Sequence, residues 1–209
     1  MDILNIVILI ILLILSLLYF FQFKYLSKTN NDLVILQKDN PTKEIIEDIF
    51  TNKSPTIFTG MIENWEVKDD KNILKEEYDA NTQIFNIPLC IVKKYKSYIM
   101  PEGKETNIIK ERNTRHMLFV LEGELRLFLF NPEQNIKYKD GKIKISKHNF
   151  FEEPEEFKDV KYLEIKFSEG HIIYIPRGWS YCYSVENYTE LLSMTSESIF
   201  SLPHSQLNF

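Results

Sequence analysis

The chain has 209 residues, of which 44% are hydrophobic and 26% charged, with a formal net charge of -5. That length suits a short N-terminal segment and one domain of ordinary size. The acidic balance gives no general reason to bind nucleic acid, and no nucleic-acid partner is expected.

Ile3 to Phe23 carries no charge and is broken only by Asn5, Ser16 and Gln22. As a helix it would be about 31 Å long, which matches a bilayer core. A cleaved signal peptide is the rival reading. No basic region precedes the apolar run, and Phe20, Phe21, Phe23 and Tyr25 are bulky where a cleavage site needs small residues. The same rings suit an interfacial aromatic belt, so an uncleaved membrane anchor is expected over Ile3 to Phe23. Asp2 is the side-chain charge before the span, while Lys24 and Lys28 follow it. The positive-inside rule then makes this a single-pass membrane protein with its C-terminal domain in the cytosol. Cys90 and Cys182 fit that compartment as free thiols, with a disulfide between them as the other reading. Asn187-Tyr-Thr189 is a glycosylation sequon that matters only in the reverse orientation.

Ser27 to Asn40 is polar around an apolar patch at Leu33 to Leu36 and reads as a stalk. Ile45, Ile46, Ile49 and Phe50 have helical spacing after Pro41-Thr42, and Ser54-Pro55 ends that helix. Thr56 to Gly60 is a short strand, followed by Trp65. Asp69 to Asp79 reads as a charged helix. Gln83 to Ile91 and Tyr95 to Met100 read as strands, Pro101 to Glu105 as a turn, and Thr106 to Thr114 as a polar segment. Met117 to Phe130 is the strongest β signal, with Glu122-Gly123-Glu124 as a hairpin turn between two strands. Ile136 to Ile145 alternates around Asp140-Gly141, a second expected hairpin. Phe150 to Asp159 reads as an acidic loop. Its Glu152, Glu153, Glu155 and Glu156 are either a solvated run or a docking site for a basic protein partner. Tyr162 to Phe167 is a strand. Ile172 to Val185 reads as strand, turn and strand, broken at Pro176-Arg177-Gly178, with Tyr181 aimed inward after the turn. Glu190 to Phe200 is a further mixed segment. About eight to ten short strands suit a barrel or sandwich.

Gly170-His-Ile-Ile-Tyr-Ile-Pro-Arg-Gly-Trp-Ser-Tyr181 resembles a segment of the cupin-like JmjC hydroxylases that ends on an iron-binding histidine. Phe119-Val-Leu-Glu-Gly-Glu-Leu125 is similar to the first cupin motif. Leu127-Phe-Leu-Phe-Asn-Pro132 resembles the segment that follows it, and Thr56 to Trp65 resembles an earlier one. These segments come in family order, and the resemblance covers roughly Ile45 to Val185. The resemblance implies a mainly β fold, a double-stranded β-helix (cupin or jelly-roll barrel) with a few flanking helices, preceded by one transmembrane helix. It gives an anchor over residues 1–26, a stalk over 27–40 and a cupin-like domain over 41–209.

The same resemblance implies iron and 2-oxoglutarate, but the residues depart from it. Counting back from Gly123 by the family's spacing puts the first two ligand positions at Lys110 and Arg112, with Glu111 between them. Arginine has no lone pair to offer a metal. Two cations about 4 Å from a divalent ion would each repel it by several kcal/mol. Tyr181 stands where the second histidine would be, and Leu125 where a lysine grips 2-oxoglutarate. Any rebuilt site would draw on His116, Glu111 and Tyr181. No catalytic residue, metal ligand or cofactor is therefore expected. Lys110, Arg112, His116, Tyr181 and Trp179 are the candidates to line a pocket for an anionic small molecule, a carboxylate or phosphate. The alternative for Lys110 and Arg112 is a solvated loop that binds nothing.

The favoured reading is a membrane-anchored relative of the JmjC fold without iron chemistry, serving as a binding or scaffolding module. One alternative is an active iron and 2-oxoglutarate protein hydroxylase with an atypical metal site. Another is a structural membrane protein of a virus particle or an organelle.

Overall fold

The computed structural model describes residues 3–27, 30–62, 82–85, 90–133, 150–152 and 154–198. The first element is α1, Ile3–Ser27. Its window Ile3–Phe21 has a mean hydropathy of 3.1, and none of it is buried against the rest of the molecule. Apolar side chains face outward all round it, which a helix in water does not tolerate but lipid does. It is long and apolar enough to cross a membrane.

The rest is mainly β. In chain order the elements are β1 (Leu36–Asp39), α2 (Lys43–Asn52), β2 (Thr56–Thr59), β3 (Cys90–Met100), β4 (Ile109–Lys110), β5 (Arg115–Glu122), β6 (Glu124–Phe130), β7 (Leu163–Ser168), β8 (Ile172–Pro176), β9 (Ser180–Val185) and β10 (Thr189–Ser198). They form a six-stranded sheet, β1-β2-β8-β5-β10-β3, and a four-stranded sheet, β4-β9-β6-β7. From β3 onward, successive strands alternate between the sheets except at β6–β7. The core strands β3-β10-β5-β8 face β4-β9-β6-β7, which is the eight-stranded double-stranded β-helix. β1 and β2 extend its larger sheet.

Each strand supplies two faces, because side chains alternate. Leu118, Val120, Ile173, Ile175 and Leu191 of the large sheet meet Leu125, Leu127, Leu129, Tyr183 and Val185 of the small one inside the barrel. Met117, Phe119, Ile172, Tyr174, Leu192 and Met194 turn the other way, onto Ile46, Ile49 and Phe50 of α2. Phe128, Phe130 and Cys182, on the outer face of the small sheet, are covered by Phe150 and Phe157. Each large apolar side chain taken fully out of water contributes about 2 kcal/mol. Arg115 ties α2 to the barrel: its guanidinium lies 3.9 Å from the Phe50 ring centre, 3.1 Å from Glu47 and donates to the Phe85 carbonyl at 3.0 Å.

Several expectations need correcting. Glu122-Gly123-Glu124 is not a hairpin: β5 bonds β8 and β10, whereas β6 bonds β7 and β9. Gly123, at φ 87°, passes the chain from one sheet to the other. The turn at Pro176-Arg177-Gly178 also joins strands of different sheets. Half of the expected stalk belongs to the domain: Leu36–Asp39 pairs in parallel with β2, and Leu33 and Ile35 pack against the barrel core. Gln83–Phe85 is a single 3₁₀ turn rather than a strand, and the strand that follows begins at Cys90. Within the acidic loop, Phe150 and Phe157 are core residues. Cys182 is a buried free thiol, pushed up to about 12 by that burial. Trp65, the expected helix over 69–79 and the expected hairpin over 136–145 lie outside the described residues.

Gly123 separates strain from crowding. A Cβ there would lie 2.0 Å from the Tyr188 carbonyl oxygen, whereas one at Gly103, at φ 74°, meets nothing within 4 Å. Gly103→Ala should therefore cost only the left-handed backbone penalty, about 1–2 kcal/mol. Gly123→Ala should cost several, or about 10 °C in unfolding midpoint at roughly 2–4 °C per kcal/mol. Thermal unfolding of both variants checks this, and equal losses would contradict the crossing.

Candidate functional site

A cavity of about 450 Å³ opens at one end of the barrel, between the edge strands β3 and β4. Its floor is His116 of β5, Glu111, Tyr181 of β9 and Ser193 of β10, and its rim carries Lys94 and Lys96 of β3, Lys110 of β4 and Arg112. Tyr98, Ile109, Asn113 and Thr195 complete the wall.

Local backbone bonding fixes Glu111. Its N–H donates to the Trp179 carbonyl at 2.7 Å, and its carbonyl accepts from the Gly178 N–H at 2.9 Å. The β8–β9 turn therefore clamps the segment after β4, and the Glu111 side chain turns inward, 3% exposed. Lys110 and Arg112, which motif spacing put at the first two ligand positions, are exposed and reach the cavity at its rim. The register is one residue off the expectation. The physical reason is the cost of burying a cation where nothing meets it, against a carboxylate that finds a histidine.

That histidine is His116, 4% exposed. Its Nδ1 is paired with Glu111 Oε2, and its Nε2 is 2.9 Å from Ser193 Oγ. The other carboxylate oxygen, Glu111 Oε1, accepts from the Asn113 backbone and side-chain N–H groups, both at 2.7 Å. Burial alone would raise the Glu111 carboxyl, but the His116 charge and these hydrogen bonds outweigh it and hold it below the ordinary carboxylate value. Tyr181 lies with its ring centre 5.6 Å from that of His116. Burial first, and the Glu111 charge second, push its phenol far up, so it stays a neutral O–H donor.

The structure thus brings together His116, Glu111 and Tyr181, the three residues expected of any rebuilt site. Lys110 and Arg112 stand at the same mouth. Trp179 does not line the cavity. It is fully buried in the barrel core, and its Nε1 donates to the Asn30 carbonyl at 3.0 Å. Leu125 is likewise a barrel-core residue. His171 lies just before β8, away from the cavity, with Nδ1 accepting from the Ser168 N–H at 3.3 Å. Seven of the lining residues escaped the sequence reading, four of them in two alternating pairs. Lys94 and Lys96 alternate along β3, a signal that was present in Lys94-Tyr-Lys96. Ser193 and Thr195 alternate along β10 in the same way, hidden because the residues between them are buried on the other face.

No protein-family model matches the chain, and no curated protein sequence matches it. Among solved structures, a cupin superfamily protein from Desulfitobacterium hafniense is similar over 50% of this chain and 67% of its own, at 8% identity and a TM-score of 0.34. A likeness that faint carries no argument about this chain. The assignment of the fold rests on strand order.

The Glu111–His116 pair makes a pH prediction. Because the folded carboxyl titrates below its ordinary value of 4.5, its stabilisation is complete above that pH and is lost as pH falls through the folded value. Urea unfolding of the wild type should weaken as pH falls below 4.5. Glu111→Gln should be less stable at pH 6 by on the order of 3 kcal/mol and should lose part of that acid slope. An unchanged slope in the variant would contradict the pairing.

Proposed function

We propose that this is a membrane-tethered jelly-roll module whose cavity binds an anionic group, a carboxylate or a phosphate, without iron chemistry. The observation that carries the reading is the charge of the cavity. Among its described lining residues stand four cations, Lys94, Lys96, Lys110 and Arg112, and one acid, Glu111, already paired with His116. In a chain of net charge -5 that is a local reversal of sign. A concave site with low-dielectric walls strengthens the attraction such a ring exerts on an anion. Arginine and lysine are also the usual partners of phosphate and carboxylate oxygens.

The donor set speaks against a metal. The 2-His-1-carboxylate site of iron oxygenases needs two imidazoles with free lone pairs. Here the cavity has one imidazole, in ion-pair contact with Glu111 at Nδ1 and in hydrogen-bond reach of Ser193 at Nε2, a neutral phenol, and a carboxylate that faces His116 and Asn113. Among the described residues no group of three or more His, Cys, Asp or Glu side chains is placed to hold a metal ion.

The tether supports a membrane setting. Only residues 28 and 29 separate the end of α1 from Asn30, whose carbonyl is held by Trp179. Three chain steps reach about 11 Å at most. Trp179 is two residues from Tyr181, so the tether joins the barrel at the end where the cavity lies. If α1 crosses the bilayer with Lys24 and Lys28 on the cytosolic side, the module is held close to the cytosolic surface.

Two outcomes check this. The full chain should float with membranes and resist alkaline carbonate, leaving them only with detergent; release by carbonate would contradict the anchor. In detergent micelles, inorganic phosphate at about a hundred times its dissociation constant should add about 2.7 kcal/mol of stability, or roughly 5–10 °C, over chloride of equal ionic strength. The double variant Lys96→Glu, Lys110→Glu should abolish that difference. Equal midpoints of the wild type in phosphate, succinate and chloride would contradict anion binding.

A further inference from the structure

Three of the cavity residues make a second arrangement. On β10, Leu191, Ser193 and Thr195 face the barrel interior. The register sets Thr195 opposite His116 of β5 and Ser193 opposite Leu118, so Ser193 is the diagonal neighbour of His116 on the same face. Diagonal neighbours lie about 7–8 Å apart, a gap that an imidazole bridges. The bridge is made: Ser193 Oγ to His116 Nε2 at 2.9 Å, then His116 Nδ1 to the Glu111 carboxylate. All three are buried, at 7%, 4% and 3% exposure, and all three border the cavity.

Hydroxyl, imidazole and carboxylate in that order are a nucleophile, a base and the group that orients the base. The Glu111 carboxylate, fixed by Asn113, lies at His116 Nδ1; in the tautomer that carries its proton there, Nε2 accepts from the serine. Lys96 is directly opposite Ser193 across β3 and β10, and both border the cavity. Tyr181 adds a neutral O–H donor beside His116. A cation and an O–H near the hydroxyl are the kind of groups that stabilise an oxyanion.

We infer that Ser193 is a nucleophile, with His116 as its base and Glu111 as the positioning residue, toward carboxylic esters that carry an anionic group. The anionic part of that substrate rests on the binding proposed above; the nucleophile does not. In the first step Ser193 Oγ forms a bond to the ester carbonyl carbon and passes its proton to His116 Nε2. The bond from that carbon to the alkoxy oxygen breaks, and the departing oxygen takes the proton from His116. Water then attacks the acyl-serine, gives a proton to His116, and releases the carboxylic acid as the serine recovers its hydrogen.

The test uses the full chain in detergent micelles and a fluorophosphonate probe, which transfers phosphorus to an activated serine and expels fluoride. The folded chain should gain one adduct, which peptide mapping places on Ser193, and the urea-unfolded chain should gain none. Ser193→Ala should lose the adduct while still unfolding as one cooperative transition. His116→Asn should react at least about 100-fold more slowly. A folded chain that shows the phosphate shift and carries no adduct on Ser193 overturns the nucleophile and leaves the binding reading standing. An adduct on Ser193 without any phosphate shift overturns the anionic substrate and supports the nucleophile. An adduct that forms equally fast after unfolding overturns the relay.

Discussion

A carboxylate inside a protein must find a partner or give up its charge. Glu111 finds His116, and much of the cavity's character follows from that pairing. It uses one imidazole nitrogen and directs the other to Ser193. It takes the carboxylate away from any entering ion, so the cations at the rim are left facing a floor whose acid is already paired.

The frame around the cavity is ordinary hydrophobic packing. The central strands of the larger sheet, β8, β5 and β10, are buried on both faces, inside the barrel and under α2, and the smaller sheet carries its own aromatic cover. Those layers hold β5, β9 and β10 in a register that brings His116, Tyr181 and Ser193 to one end. Breaking the Glu111–His116 pair would leave an uncompensated buried group at that end. Such breaks cost about 3–5 kcal/mol, a large share of a domain's stability.

Much of the architecture was legible in the residues. Arg115 to Phe130 and Ile172 to Val185 read as strands because β-branched and aromatic residues run between turn residues. The apolar run from Ile3 announced α1. What failed was partnership: Gly123 and Gly178 both mark tight turns, and local sequence does not say that the strands on either side belong to different sheets. That depends on contacts made far along the chain. β10 was obscure because a strand buried on both faces loses its alternation. The site was half legible. Lys110, Arg112, His116 and Tyr181 were identified because motif spacing pointed at them. Glu111 was named only as a member of a rebuilt metal site, since one-residue register is set by the turn at Gly178 and Trp179, which no local pattern encodes. Trp179 misled because an aromatic beside a pocket is as easily core as wall.

The central claim is that both nitrogens of His116 are committed within the protein. It is tested most directly by nitrogen and proton magnetic resonance of that imidazole in the full chain, before and after adding cobalt(II) as a paramagnetic stand-in for iron(II). The account predicts a proton held on Nδ1, hydrogen-bonded to Glu111, and signals that cobalt leaves unmoved. A His116 resonance that broadens or shifts in proportion to one equivalent of cobalt would contradict it.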